Sequence, residues 1–254
     1  MKLYKLTDSR NKTFGNTEWG NGVSHRSQRR KENLFHSYGT ELCTADVIHA
    51  YTGPLIAVVM NRTHAAFPHP RMWVAEGIPV VCDGTKVGCH ELTTIEEIPT
   101  PGISYNAALR AVISISLHYI DEQGELDGRD LVLFTDWARR WISGEDRSAY
   151  TARHRARKLS DDPNRDIEYH AVETVATVTS GTNYCASRLV GPYIDLYTAS
   201  SCFISNFFSF IAQKIVMSNV VRSVSPYDFA ERLEGFLSES IANESDGNAD
   251  NGNR

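Results

Sequence analysis

The feature that most constrains this chain is a change of pattern at Pro99–Gly102. Before it, short apolar runs alternate with turn residues; after it, apolar residues recur at three- and four-residue spacing. On the N-terminal side, Leu3-Tyr4-Lys5-Leu6 reads as a strand ended by Thr7-Asp8-Ser9, and Gly15-Asn16 and Gly20-Asn21-Gly22 read as turns. Val47 to Tyr51 reads as a second strand, broken by Thr52-Gly53-Pro54. Pro54 suits the first turn of a helix, which Leu55 to Met60 would continue, although a short buried strand fits the same run. Past a Pro-rich link at Phe67 to Pro70, Met72 to Ala75 and Val87 to Leu92 are strand candidates, the latter entered through an Asp83-Gly84 turn. Ile95 to Ile98 adds a short edge.

Beyond the seam, Tyr105 to Asp121 carries Leu109, Val112, Ile113, Leu117 and Ile120 on one face and is expected to be a helix. Leu131 to Ile142 is another, closed by Ser143-Gly144. Asp146 or Ser148 would cap a polar, Arg-rich helix, and residues 160 to 165 read as a loop. Ile167 to Ser180 and Asn183 to Ser218 read as helices. Pro226 starts a last amphipathic helix through Ile241. The fold class expected is α+β: a strand-rich domain over 1–100, a mainly helical region over 103–242, and a disordered acidic tail over 243–254.

Composition bounds function. With 254 residues, 41% apolar and 22% charged, the chain has enough apolar material for a proper core. A net charge of −5 gives no global basic field, so nucleic acid is not an expected partner. The basic runs Arg26 to Lys31 and Arg153 to Lys158 read as solvated faces. The uncharged stretch Leu196 to Gln213 is interrupted by Thr198, Ser200, Ser201, Ser205, Asn206 and Ser209, so it reads as a core or interface helix rather than a membrane span. Its stripe of Phe203, Phe207 and Phe210 is wide enough to suggest homo-oligomerisation through the helical half. Five cysteines is an odd count, and Met1 to Thr13 has no apolar run of the signal-peptide kind. A reduced, cytoplasmic protein is expected.

The chemistry-bearing residues form no standard motif. Cys43 and His49, then Cys82, Cys89 and His90, are ligand types, but their spacings are not those of close-paired zinc ligands, and no metal site is expected. There is no nucleophile-elbow G-x-S-x-G, no P-loop and no H-E-x-x-H.

A resemblance adds to this. The order Leu3-Tyr4-Lys5, Trp19-Gly20, Gly22-Val23-Ser24-His25, Glu41-Leu42-Cys43, Val47-Ile48-His49-Ala50-Tyr51, Pro54-Leu55, His64-Ala65, Met72 to Gly77, Lys86-Val87-Gly88-Cys89 and Glu97-Ile98-Pro99 resembles a domain of unknown function of tailed-phage and bacterial accessory proteins. The resemblance continues at Trp137 to Ser148, in the run Trp141 to Ser148. It implies a protein that binds a host or defence component in the host cytoplasm, needing no catalytic residues and no cofactor; Trp19, Tyr38 and Trp73 are its candidate surface aromatics. In outline, the strand with Tyr4-Lys5 and the strand–turn–helix of Val47 to Met60 are also similar to small ADP-ribosyltransferase folds. That similarity implies an alternative, an NAD- or nucleotide-handling enzyme, with Lys5, His49, Tyr51 and either Glu76 or Glu91 as site residues.

Overall fold

The structure is a computed structural model, and it describes residues 1–27, 42–123, 128–148, 150–152, 154–155, 166–179, 196–217 and 224–249. The fold is α+β, and its contacts divide the chain into two units. One comprises Met1–Gly102 with Ala212–Gly235, the other Ile103–Ile211 with Phe236–Arg254.

The first unit is built on antiparallel strands. They are β1 (Lys2–Thr7), β2 (Lys12–Thr13), β3 (Thr17–Glu18), β4 (Val23–Arg26), β5 (Ile48–Ala50), β6 (Arg71–Cys82) and β7 (Val87–Ile98), with helix α1 (Pro54–His64) between β5 and β6. Strand β6 pairs with β1 on one side and β7 on the other; β4 and β5 share the far edge of β7. The sheet then closes on itself. Tyr51, just after β5, pairs with Tyr4 of β1 through N–H···O bonds of 2.8 and 2.9 Å. So few strands close only if they bend sharply, and register shifts in β6 between Val74 and Val81 supply the bends. Gly88 is needed at the tightest point, because a Cβ there would meet Val47 and Val81 side chains at 2.8 Å. Inside the ring, Leu3, Ala50, Ala75, Val87, Cys89 and Leu92 pack with Trp19. Helix α1 packs against β1 and buries Leu55, Ile56, Val59 and Met60.

Both long strands exceed the expected segments. Ile95 to Ile98 is no separate edge; it continues β7 through Thr93 and Thr94, paired with β6 as far as Ile98–Met72. Helix α1 starts at Pro54, but its N-cap is Gly53, which has no capping side chain. Glu234 supplies the cap from a distance: its carboxylate accepts the N–H groups of Leu55 (3.0 Å) and Ile56 (2.9 Å).

The second unit contains α2 (Tyr105–Gln123), α3 (Gly128–Ser143), α4 (Asp166–Thr179) and parts of α5 (Leu196–Met217) and α6 (Pro226–Ala249). Helix α2 packs on α3 and α4. Leu109, Val112, Ile113, Phe134, Trp141, Val172 and Phe208 are buried. Helix α3 ends at Gly144, whose N–H reaches Trp141 O at 3.2 Å. The Phe stripe on α5 does not stand open: Ile204, Phe207, Phe208 and Ile211 are buried, and Phe210 lies 4.2 Å from the His170 ring. Of the stripe, Phe207 is core and Phe210 is half-buried. Helix α6 runs to Ala249, into the stretch from 243 expected to be a tail. Among the described residues no helix is long and apolar enough to cross a membrane. Arg29 to Lys31, Arg153, Arg157 and Lys158 lie outside the described residues; Arg155 is described, and its guanidinium sits 5.8 Å from the Phe134 ring centre.

Candidate functional site

The unusual chemistry gathers around β5. Strand alternation points Ile48 and Ala50 into the ring and turns His49 outward. On the inner side, Lys5 follows Leu3 at strand period and is only 8% exposed. A buried ammonium needs donors satisfied. Lys5 Nζ donates to His49 O at 2.7 Å and lies 5.1 Å from the Trp19 ring centre. Burial nevertheless pushes its pKa down from 10.5 to about 8, with Cys89 acting weakly the other way.

On the outer side, His49 Nε2 accepts the Cys43 N–H at 3.0 Å, which places the ring proton on Nδ1 in the neutral imidazole. Burial, then Lys86 and Lys5, depress the His49 pKa to about 4, while Asp83 opposes the shift. His64, at the end of α1, is likewise held at about 4 by burial and then by Lys86 and His49, against Asp83. Its ring stacks on Tyr51 at 5.9 Å, with Nδ1 3.4 Å from the Tyr51 hydroxyl. Burial, then Asp83, raise the Tyr51 phenol well above its ordinary value.

Lys86 enters from the β6–β7 turn. Asp83 Oδ1 organises that turn by accepting the Thr85 N–H (2.8 Å), the Thr85 hydroxyl (2.8 Å) and the Lys86 N–H (2.9 Å). Lys86 is 8% exposed, and its Nζ lies 2.9 Å from Cys43 Sγ. Cys43 is exposed and holds a left-handed backbone at φ +66°. Burial pushes the Cys82 and Cys89 thiols up to about 11. Among the described residues no group of three or more His, Cys, Asp or Glu side chains is placed to hold a metal ion.

Of the residues singled out in the sequence, Lys5 reaches the His49 backbone from inside the ring while the His49 side chain faces outward, Tyr51 lies against His64, and the two glutamates lie elsewhere. Glu76 is opposite Thr93 of β7, whereas His49 is opposite Gly88. Five residues of strand separate those positions, roughly 17 Å at ~3.4 Å per residue. Glu91 is exposed and paired with Arg26 at 3.0 Å. Trp19 and Trp73, expected at the surface, are each 5% exposed: Trp19 fills the ring, and Trp73 Nε1 donates to Thr7 Oγ1 at 3.3 Å. Tyr38 lies outside the described residues.

Lys86, His64 and Asp83 were not singled out. The sequence marks Asp83-Gly84 as a turn, and a lysine beside a turn is ordinarily solvated. Here it is buried, with Cys43 at its ammonium. Comparison with known families, curated proteins and solved structures finds no match to this chain.

Proposed function

We propose that this chain is an accessory protein that works by binding a protein partner, using an aromatic knob on its N-terminal unit. Phe14 carries the reading. It is 100% exposed at the tip of the β2–β3 hairpin. The hairpin beneath it is stiff. Asp8 Oδ1 accepts the N–H groups of Arg10 (2.8 Å) and Lys12 (2.7 Å) at its base. Trp19, buried in the ring, anchors the return strand and donates through Nε1 to Thr13 Oγ1 at 3.0 Å. Lys12 pairs with Glu18 across it at 3.2 Å. Aromatic side chains dominate interface energetics, and here the backbone that carries one into water is already tied down. The occupant it suits is a protein with an apolar recess; the phage-type resemblance makes a host or defence component the expected source.

The test compares capture of a defined partner by the unaltered chain and by Phe14→Ser. Burying a Phe is worth about 1.5–3 kcal/mol, so affinity should fall roughly 10- to 150-fold by the usual conversion, with the melting temperature unchanged. Equal affinity, or no reproducible partner together with turnover of a small molecule, sinks the proposal. The alternative NAD-handling reading has the contact of Lys5 with the His49 backbone in its favour and the distance of Glu76 against it. A thermal-shift scan with NAD separates the two.

A further inference from the structure

We propose that Cys43 is a reactive thiol that undergoes exchange with low-molecular-weight disulfides, with Lys86 as the fixed counter-charge of its thiolate. The inference is independent of the partner-binding reading, since Phe14 takes no part in it.

Two observations carry it. The first is the thiol's setting. Cys43 is exposed, yet its backbone is held in the left-handed region, which non-glycine residues seldom adopt. The His49 ring holds it there by accepting its N–H at 3.0 Å, and the neutral ring of His49 keeps that acceptor available at neutral pH. The second is Lys86. Its side chain is more than nine-tenths buried, and among the described residues the one hydrogen-bond partner of its ammonium is Cys43 Sγ, at 2.9 Å. A neutral thiol is a weak acceptor and leaves a buried ammonium poorly satisfied. A thiolate satisfies it as a charge-assisted pair. When the thiolate forms in attack, that fixed cation stands beside it, and an exposed sulfur next to a buried cation is the setting of reactive cysteines. Cys82 and Cys89 have the opposite setting, and burial holds both as thiols.

The reaction balances simply. Cys43 loses its proton to solvent. The thiolate attacks one sulfur of RS–SR, the S–S bond of the reagent breaks as the Cys43–S–SR bond forms, and RS⁻ leaves and is protonated by solvent. The disulfide is the oxidant and Cys43 is oxidised. A mixed disulfide would place a new group beside Lys86 and His49, at the mouth of the polar cluster.

The test treats the intact chain with oxidised glutathione at pH 7 and quantifies each cysteine-containing peptide by mass spectrometry. Cys43 should form the mixed disulfide at least about tenfold faster in the folded chain than in the same chain unfolded by urea, after correction for the effect of urea on free glutathione exchange. Lys86→Met should slow it about tenfold and Lys86→Arg should largely restore it. Reaction in the folded chain no faster than in the unfolded one overturns the proposal, and that comparison needs no variant. A folded Lys86→Met that reacts as fast as the unaltered chain overturns it equally.

Discussion

His49 and His64 are pushed the same way by the same neighbours. Burial and the Lys86 charge lower both to about 4, Lys5 adds to the effect on His49, and Asp83 opposes it at each. The sign of the stability effect follows. Above pH 6.5 neither the folded nor the unfolded state protonates these rings. As pH falls from about 6.5 to about 4, the unfolded chain takes up protons and the folded chain does not, so stability declines across that window and levels below it. The urea midpoint should therefore drop between pH 7 and pH 5, and the drop should shrink in His49→Gln/His64→Gln, whose side chains do not titrate. An equal drop in that variant would mean the decline comes from other groups. At this scale the sequence was half legible. The strands that carry Lys5 and His49 were readable, because strand patterning is local, but the contact between the two residues spans 44 positions and was not. Lys86 could not be read either, because its partner Cys43 lies 43 positions away in the chain.

Helix α1 shows what an element owes to a distant residue. Pro54 at the first turn suited a helix start, but the apolar run after it fitted a short buried strand as well as the helix that forms. Its cap was illegible, since Glu234 lies 179 residues from Leu55. Strands β2 and β3, of two residues each, left no periodic signal either. Gly53 is extended at φ −131°, a conformation any residue adopts, so what it provides is room: a Cβ there would run into the Glu234 carboxylate. These facts predict a coupled pair. Glu234→Ala should cost about 1–2 kcal/mol, as loss of a helix cap does. Gly53→Ser in the unaltered chain should also destabilise it, by displacing that carboxylate. In Glu234→Ala, however, the same serine becomes a local cap and should return most of the loss. A double-mutant cycle by urea denaturation measures the coupling; additive costs would show that Glu234 does not cap the helix.

For the whole molecule, the chain's composition pattern and its contacts divide it differently. The pattern changes once, at Pro99–Gly102, and contacts also divide the chain there, but Ala212–Gly235 groups with the strands that precede the seam. A helix-period sequence gives no sign of which partner its apolar face will meet, so that return was not readable. Its consequences are concrete. Glu234 caps α1, and the fully buried Phe229 lies over the β6–β7 turn, 2.9 Å from where a Cβ on Gly84 would sit. Burial, followed by the nearby Cys82 and Cys89, raises the Tyr227 phenol. A fragment of residues 1–102 therefore loses a cap and exposes an apolar surface that Phe229 covers. It should melt at lower temperature and less cooperatively than the whole chain, followed by circular dichroism. A peptide of residues 224–249 binds only the folded form and should restore it by mass action, adding about 2.7 kcal/mol at a hundredfold excess over its Kd. The same peptide carrying Glu234→Ala and Phe229→Ala should do so poorly. If the fragment melts as a single sharp transition that neither peptide moves, the strands are complete without the returning helix, and the contribution assigned to Glu234 and Phe229 is wrong.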